Sequence, residues 1–194
     1  MPAPSPASRS RPSLVVLCWG VLGVVALLGQ AVWRMVPLAL EPFRAHTLGV
    51  VEIGAYAGWV GFSLYAEGYR AFQLRFSPRV VARAVHLAHH PRPLHVALAP
   101  AFCMGLLHAK RRRLIVAWIS VMAIVGLVIT VRSFPQPWRG IIDGGVVVAL
   151  LWGIGALLYF FGCVLAGREL DYPTDVPESA ATNPAVEAAN ALPR

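Results

Sequence analysis

The stretch LIVAWISVMAIVGLVITV, Leu114–Val131, decides the fold class. It is 18 residues without a charge, with Lys110-Arg111-Arg112-Arg113 immediately before it and Arg132 immediately after. A helix that crosses a bilayer needs about 20 apolar residues. Basic residues collect where such helices meet headgroups. This stretch reads as a transmembrane helix.

Working outward, the pattern recurs. Pro12–Trp33 is charge-free for 22 residues, too long for the apolar part of a signal peptide and followed by no small-x-small cleavage site. A further span is expected over about 47–66, opening at Thr47 as an N-cap and ending at Glu67. After the tight loop Ser133–Trp138 the last span is expected over about 141–167. The first and third spans run over about 13–33 and 114–131. The whole chain is 57% hydrophobic and only 13% charged, against about 25% charged in a soluble domain. Lipid is the solvent that suits this composition. The expected fold is all-α: a polytopic membrane protein of four transmembrane helices in one domain, 13–167. Residues 1–12 read as a disordered basic tail and 168–194 as a disordered polar one.

Residues 70–113 are expected to touch the membrane without crossing it. Ser77-Pro78 has the form of an N-cap with proline at the first helical position. Beyond it Arg79, Arg83, His86 and His90 fall on one helix face, and Val80, Val81, Ala84, Val85 and Ala88 largely on the other. That is an amphipathic helix suited to the interface, stopped by Pro91 and Pro93. Residues 94–109 are apolar but short and hold Pro100, His95 and His108, which suits a re-entrant or interfacial hairpin. Arg79, Arg83, Lys110, Arg111, Arg112 and Arg113 are the expected lipid-headgroup contacts.

Loop charge sets the orientation. With four spans, one side carries 12 Lys and Arg near the spans, the distant Arg194 aside, and the other only Arg34, Arg44, Arg132 and Arg139. If 94–109 crossed, the split would be 9 against 7, so the four-span arrangement is favoured. Both termini are then cytoplasmic, and the expected location is a bacterial plasma (inner) membrane. The net charge of +8 serves anionic headgroups, and no nucleic-acid partner is expected.

Charges inside a span are costly and ask for partners. Glu52 lies about a turn and a half inside its span and Asp143 in the first turn of the last, both near the level of Arg34, Arg44, His46, Arg132 and Arg139. Arg139 and Asp143 are four residues apart on one helix. These residues read first as a pin between helices and second as a polar site for an ion or proton. Small residues form stripes at Gly54, Ala57, Gly58 and Gly61 and again at Gly145, Ala149 and Gly153. Such stripes let helices approach closely, within one chain or in a homo- or hetero-oligomer.

His86, His89 and His90 form the one grouping with metal-binding chemistry. His86-Leu87-Ala88-His89-His90 has the form HxxHH and resembles one histidine box of membrane fatty-acid desaturases and hydroxylases. That resemblance would imply a di-iron centre, but it covers five residues and the other boxes are absent, so the activity does not carry over. Residues 14–33, 114–131 and 141–167 contain no histidine, which argues against haem held between spans. Cys18, Cys103 and Cys163 are scattered in apolar runs, as packing residues are. No Ser-His-Asp set, P-loop or dinucleotide glycine pattern occurs. No cofactor is expected, and an enzyme is the less favoured class. The leading expectation is a structural or accessory subunit packing with other membrane helices. The alternatives are a small transporter or channel using Glu52 and Asp143, and a membrane enzyme with a cytoplasmic histidine metal site.

Overall fold

The computed structural model describes residues 13–45, 48–107, 109, 111–168 and 172. Among them every regular element is helical, and three helices are long and apolar enough to cross a membrane. They are α1 (Leu14–Arg44), α6 (Arg111–Arg132) and α7 (Trp138–Leu165). The expected disordered tails, Thr47, His46, His108 and Lys110 lie outside the described residues, as does the Arg113 side chain.

Two boundaries differ from the sequence reading. Helix α1 does not stop at Arg34 but continues through Pro37 and Pro42 to Arg44. Proline is tolerated inside a membrane helix when its surroundings re-satisfy the backbone group it frees and make room for its ring. Here the Pro42 ring packs directly on Gly140 of α7, where a Cβ would collide with it.

The second difference is larger. Helix α2 (Val50–Ser63), a stretch of wider π-type turns (Leu64–Phe76) and α3 (Ser77–His89) follow without a break. Leu64 (φ −58°, ψ −44°) and Ser77 (φ −58°, ψ −47°) both keep right-handed helical angles. Ser77 is therefore not an N-cap. Its N–H bonds five residues back, to Phe72 O, and its hydroxyl donates across to Gly153 O of α7 at 3.4 Å. The return to α-helical pairing falls beside Pro78, the residue with no N–H to contribute. The rod of 40 residues is at most about 60 Å long, twice the hydrocarbon thickness of about 30 Å.

Helix α3 also departs from the expected interfacial role. Nine of its residues are buried, and its apolar face is the middle of the main core. Val80, Val81, Ala84 and Leu87 pack there against Leu17, Val21 and Val24 of α1, Phe102 and Cys103, and Leu157 and Phe161 of α7. The amphipathic period was real, but protein rather than lipid covers the apolar side. After Pro91, α4 (Pro93–Ala97) and α5 (Ala99–Cys103) are five residues each, about 7.5 Å of helix apiece. Helix α5 rests on α1 and α3, α4 packs on α5, and the Trp19 indole of α1 donates to Val96 O of α4 at 3.0 Å. Helix α6 stands almost clear of the others.

Glycines on α7 set how closely the rod approaches. A Cβ on Gly144 would run into the Tyr56 ring, one on Gly145 would meet Trp59 Nε1 at 2.5 Å, and one on Gly153 would meet Phe72 at 2.5 Å. The reverse holds once: Gly68 of the rod receives the Trp152 side chain of α7.

Candidate functional site

The first candidate is the polar layer at the end of the bundle where α1 finishes, α2 starts and α7 starts. Asp143 is 5% exposed. Arg139, one turn earlier on α7, places its Nε 3.8 Å from Asp143 Oδ2. That is an ionic contact without a hydrogen bond, and neither of these two buried atoms has a hydrogen-bond partner. The rest of the layer consists of bonds between helices and from the loop before α7. The Tyr56 hydroxyl donates to Ala39 O of α1 at 3.3 Å, and the Trp59 indole to Ile142 O at 3.4 Å. Gln136 donates to Glu41 at 2.8 Å and accepts from the Gly140 N–H at 3.2 Å. Tyr56 also meets the Phe43 ring edge-on at 4.8 Å.

Of the sequence candidates, the structure brings together Arg139 and Asp143. Glu52 sits in the first turn of α2, and its carboxylate folds back over Gly49 toward the helix N-terminus, where the helix dipole favours a negative charge. Arg44 is exposed in the last turn of α1. Sequence reasoning missed Tyr56, Trp59 and the Glu41–Gln136 bridge. The only signal for the two aromatics was the Gly144-Gly145 pair, small enough to receive rings from a facing helix.

A buried charge left without its counter-charge is strongly destabilising, whereas removing both partners together is close to neutral. Asp143→Leu and Arg139→Leu alone are therefore each expected to lower the melting temperature in detergent. The double variant is expected to recover most of the loss. Additive losses in the double-mutant cycle would show that the pair does not act as a unit.

The second candidate is the histidine cluster. The His86 and His90 rings are 5.0 Å apart, and His90 Nδ1 lies 3.4 Å from His86 O. His89 is on another face, with its Nδ1 buried and unpartnered. Among the described residues no three His, Cys, Asp or Glu side chains converge as a metal site. Burial first, and then the nearby His90, Arg83, His89 and Arg92, hold the His86 pKa below its ordinary 6.5. The unfolded chain then takes up the proton first as pH falls. Stability is expected to be full above pH 6.5 and to decline below it, until the lower folded value is passed. A His86→Gln variant is expected to flatten that decline in a melting series across this range.

The basic residues divide. Arg111 and Arg112 are exposed and Arg79 is half-buried. Arg83, expected among the headgroup contacts, is instead 3% exposed. Its Nε donates to Phe102 O at 2.7 Å and an Nη to Leu107 O at 2.9 Å, while its guanidinium lies 4.4 Å above the centre of the Phe102 ring. His95 stacks on the same ring at 5.0 Å. The burial has a physical reason. The Phe102 carbonyl in the last turn of α5, which also accepts from the Gly105 N–H, and the Leu107 carbonyl beyond the helix both have lone pairs to offer, and a cation satisfies their hydrogen bonding and the dipole of the helix end. In the same pocket the Cys103 thiol is pushed up to about 12 by burial, against the opposing pull of Arg83, which leaves it inert at neutral pH.

A chain whose described residues form only helices, three of them of this length and apolarity, is an integral membrane protein by class. No known protein family, curated protein or solved structure matches it.

Proposed function

We propose that this chain is a four-span membrane protein with both termini cytoplasmic, and that it serves as a structural or accessory subunit packing against other membrane helices. The fourth span is the apolar first part of the rod, up to Ala66. From Val50 it is 17 residues, about 26 Å, close to the hydrocarbon thickness. The orientation rests on the excess of Lys and Arg in the segments next to the start of α1, α3 and the end of α7.

The observation that carries the subunit reading is how the glycines divide. Gly140, Gly144, Gly145 and Gly153 of α7 are filled by side chains of the same molecule. Gly54, Gly58 and Gly61 of α2 face outward, and a Cβ on any of them would meet nothing within 4 Å. With Ala57 they form an exposed small-residue strip on a helix whose other side is committed to α7. The buried polar layer favours the same reading over transport, because Tyr56 and Trp59 bond between helices and Gln136 ties the loop before α7 to the end of α1.

The test is native gel electrophoresis of membranes solubilised in mild detergent, comparing the wild type with Gly54→Leu/Gly58→Leu. The expected result is that an assembly larger than the monomer disappears in the variant while the purified protein melts as the wild type does. An assembly of unchanged size would overturn the reading.

A further inference from the structure

Tyr172 lies back alongside α7 rather than beyond its end. Helix α7 stops at Leu165, where Gly167 takes a left-handed φ of +80° and the Arg168 N–H bonds back to Cys163 O. That is the glycine-dependent end of a helix. The Tyr172 ring nevertheless stands edge-on to Phe160, with 6.3 Å between centroids. Phe160 is more than a turn before the helix end, about 7.5 Å of α-helix.

The contact is on the α3 side of α7. Phe160 comes about two turns after Gly153 and so shares its face. Gly153 is met by Phe72 and accepts from the Ser77 hydroxyl. Phe160 itself packs against the core that α3 centres. Arg75 and Arg79 flank Ser77 in sequence, Arg75 exposed and Arg79 half-buried.

The charges on the two sides are complementary. Residues 70–92 carry Arg70, Arg75, Arg79, Arg83 and Arg92 and no acid. Between Glu67 and Glu169 the chain has one acid, Asp143, in the first part of α7. Tyr172 is set among the opposite sign. Glu169, Asp171, Asp175 and Glu178 fall within residues 169–178, which hold no Lys, Arg or His.

We infer that this acidic segment, residues 169–178, docks on the basic side of the rod and α3 of its own chain, with Tyr172 as the apolar anchor. It covers Arg75 and Arg79 and brings the counter-charge that anionic headgroups or an acidic partner would otherwise supply there. The span is sufficient. Extended chain advances about 3.3–3.6 Å per residue, so Glu178 reaches up to about 20 Å from Tyr172. Gly153, bonded to Ser77, is about 10 Å from Phe160 along α7. The segment of the same chain is favoured over that of a second copy because Tyr172 already sits on its own α7. The inference is independent of the subunit reading, which concerns α2.

The experiment is zero-length carbodiimide cross-linking of the full chain in detergent, mapped by mass spectrometry. The reagent joins carboxylates to amines in contact with them, and the chain has one lysine, Lys110. Arg75→Lys and Arg79→Lys each place an amine on the proposed surface. Each is expected to give a link, absent from the wild type, to Asp171, Asp175 or Glu178 in a monomer-sized band. Arg132→Lys, exposed at the far end of α6, is the control and should give none. Adding Tyr172→Ala to Arg75→Lys is expected to lower the yield about fivefold, the worth of one aromatic pair. Salt of about 1 M, where the Debye length is about 3 Å, is expected to lower it severalfold. No link from either lysine variant would overturn the inference. So would links confined to a dimer-sized band, since the segment would then cover a neighbouring copy.

Discussion

Arg83→Met is expected to destabilise the protein by about 3 kcal/mol, lowering its melting temperature in detergent by about 6–12 °C. Two hydrogen bonds to a charged donor contribute about 1.5–3 kcal/mol each, and a desolvated guanidinium over an aromatic ring up to about 2. Relief from burying a charge offsets part of that sum. Methionine keeps the apolar stem but removes the bond to the Leu107 carbonyl and leaves the Phe102 carbonyl with the Gly105 N–H alone. Those carbonyls belong to the short segment after α4, so the loss should be local first. Amide exchange over residues 94–107 is expected to accelerate before that of α7 does. Arg83→Lys keeps the charge but cannot span both carbonyls in one plane, and is expected to fall between. Arg111→Met, at an exposed position, is the control and should melt as the wild type does. An Arg83→Met variant that melts and exchanges like the wild type would remove the clamp as a structural element.

The long charge-free runs made α1, α6 and α7 legible in the sequence, with ends correct to within a few residues for α6 and α7. Lipid leaves few alternatives for such runs, because every backbone group must be paired inside the segment. What failed was punctuation. Ser77-Pro78 and Pro42 carry strong local stop and start signals. Tertiary contacts override them here: Ser77 bonds to Gly153, and Pro42 is received by Gly140. A single sequence contains the residues on both sides of such a contact but not their pairing.

The polar residues were harder. The spacing of Arg139 and Asp143 fixes their contact, since four residues on one helix are neighbours. The surroundings of Arg83 were invisible for the opposite reason. Its partners are backbone carbonyls 19 and 24 residues away, and carbonyls leave no mark in a sequence. Periodicity placed Arg83 on the polar face correctly. It could not show that α5 and the residues after it end against that face and bring two carbonyls to the buried cation.

Gly145→Leu and Gly58→Leu make the same chemical change on facing helices, and they are expected to act on different equilibria. At Gly145 a Cβ would lie 2.5 Å from Trp59 Nε1 and 2.6 Å from the Ser63 hydroxyl, both part of a packed helix interface. The side chains there cannot swing aside without separating the rod from α7. Overpacking of this kind costs about 1–3 kcal/mol. The Tyr56–Ala39 and Trp59–Ile142 bonds lie in the same interface, so the upper part of that range or more is expected, read as a lower melting temperature. At Gly58 the new side chain enters open space, and leucine is a better helix former than glycine by close to 1 kcal/mol. The isolated chain should melt no lower than the wild type. If a partner helix seats on that strip, Gly58→Leu loses the assembly while Gly145→Leu loses the fold. Equal loss of melting temperature in both variants would mean that α2 turns its glycines inward, and the division of the glycines between inner and outer faces would be wrong.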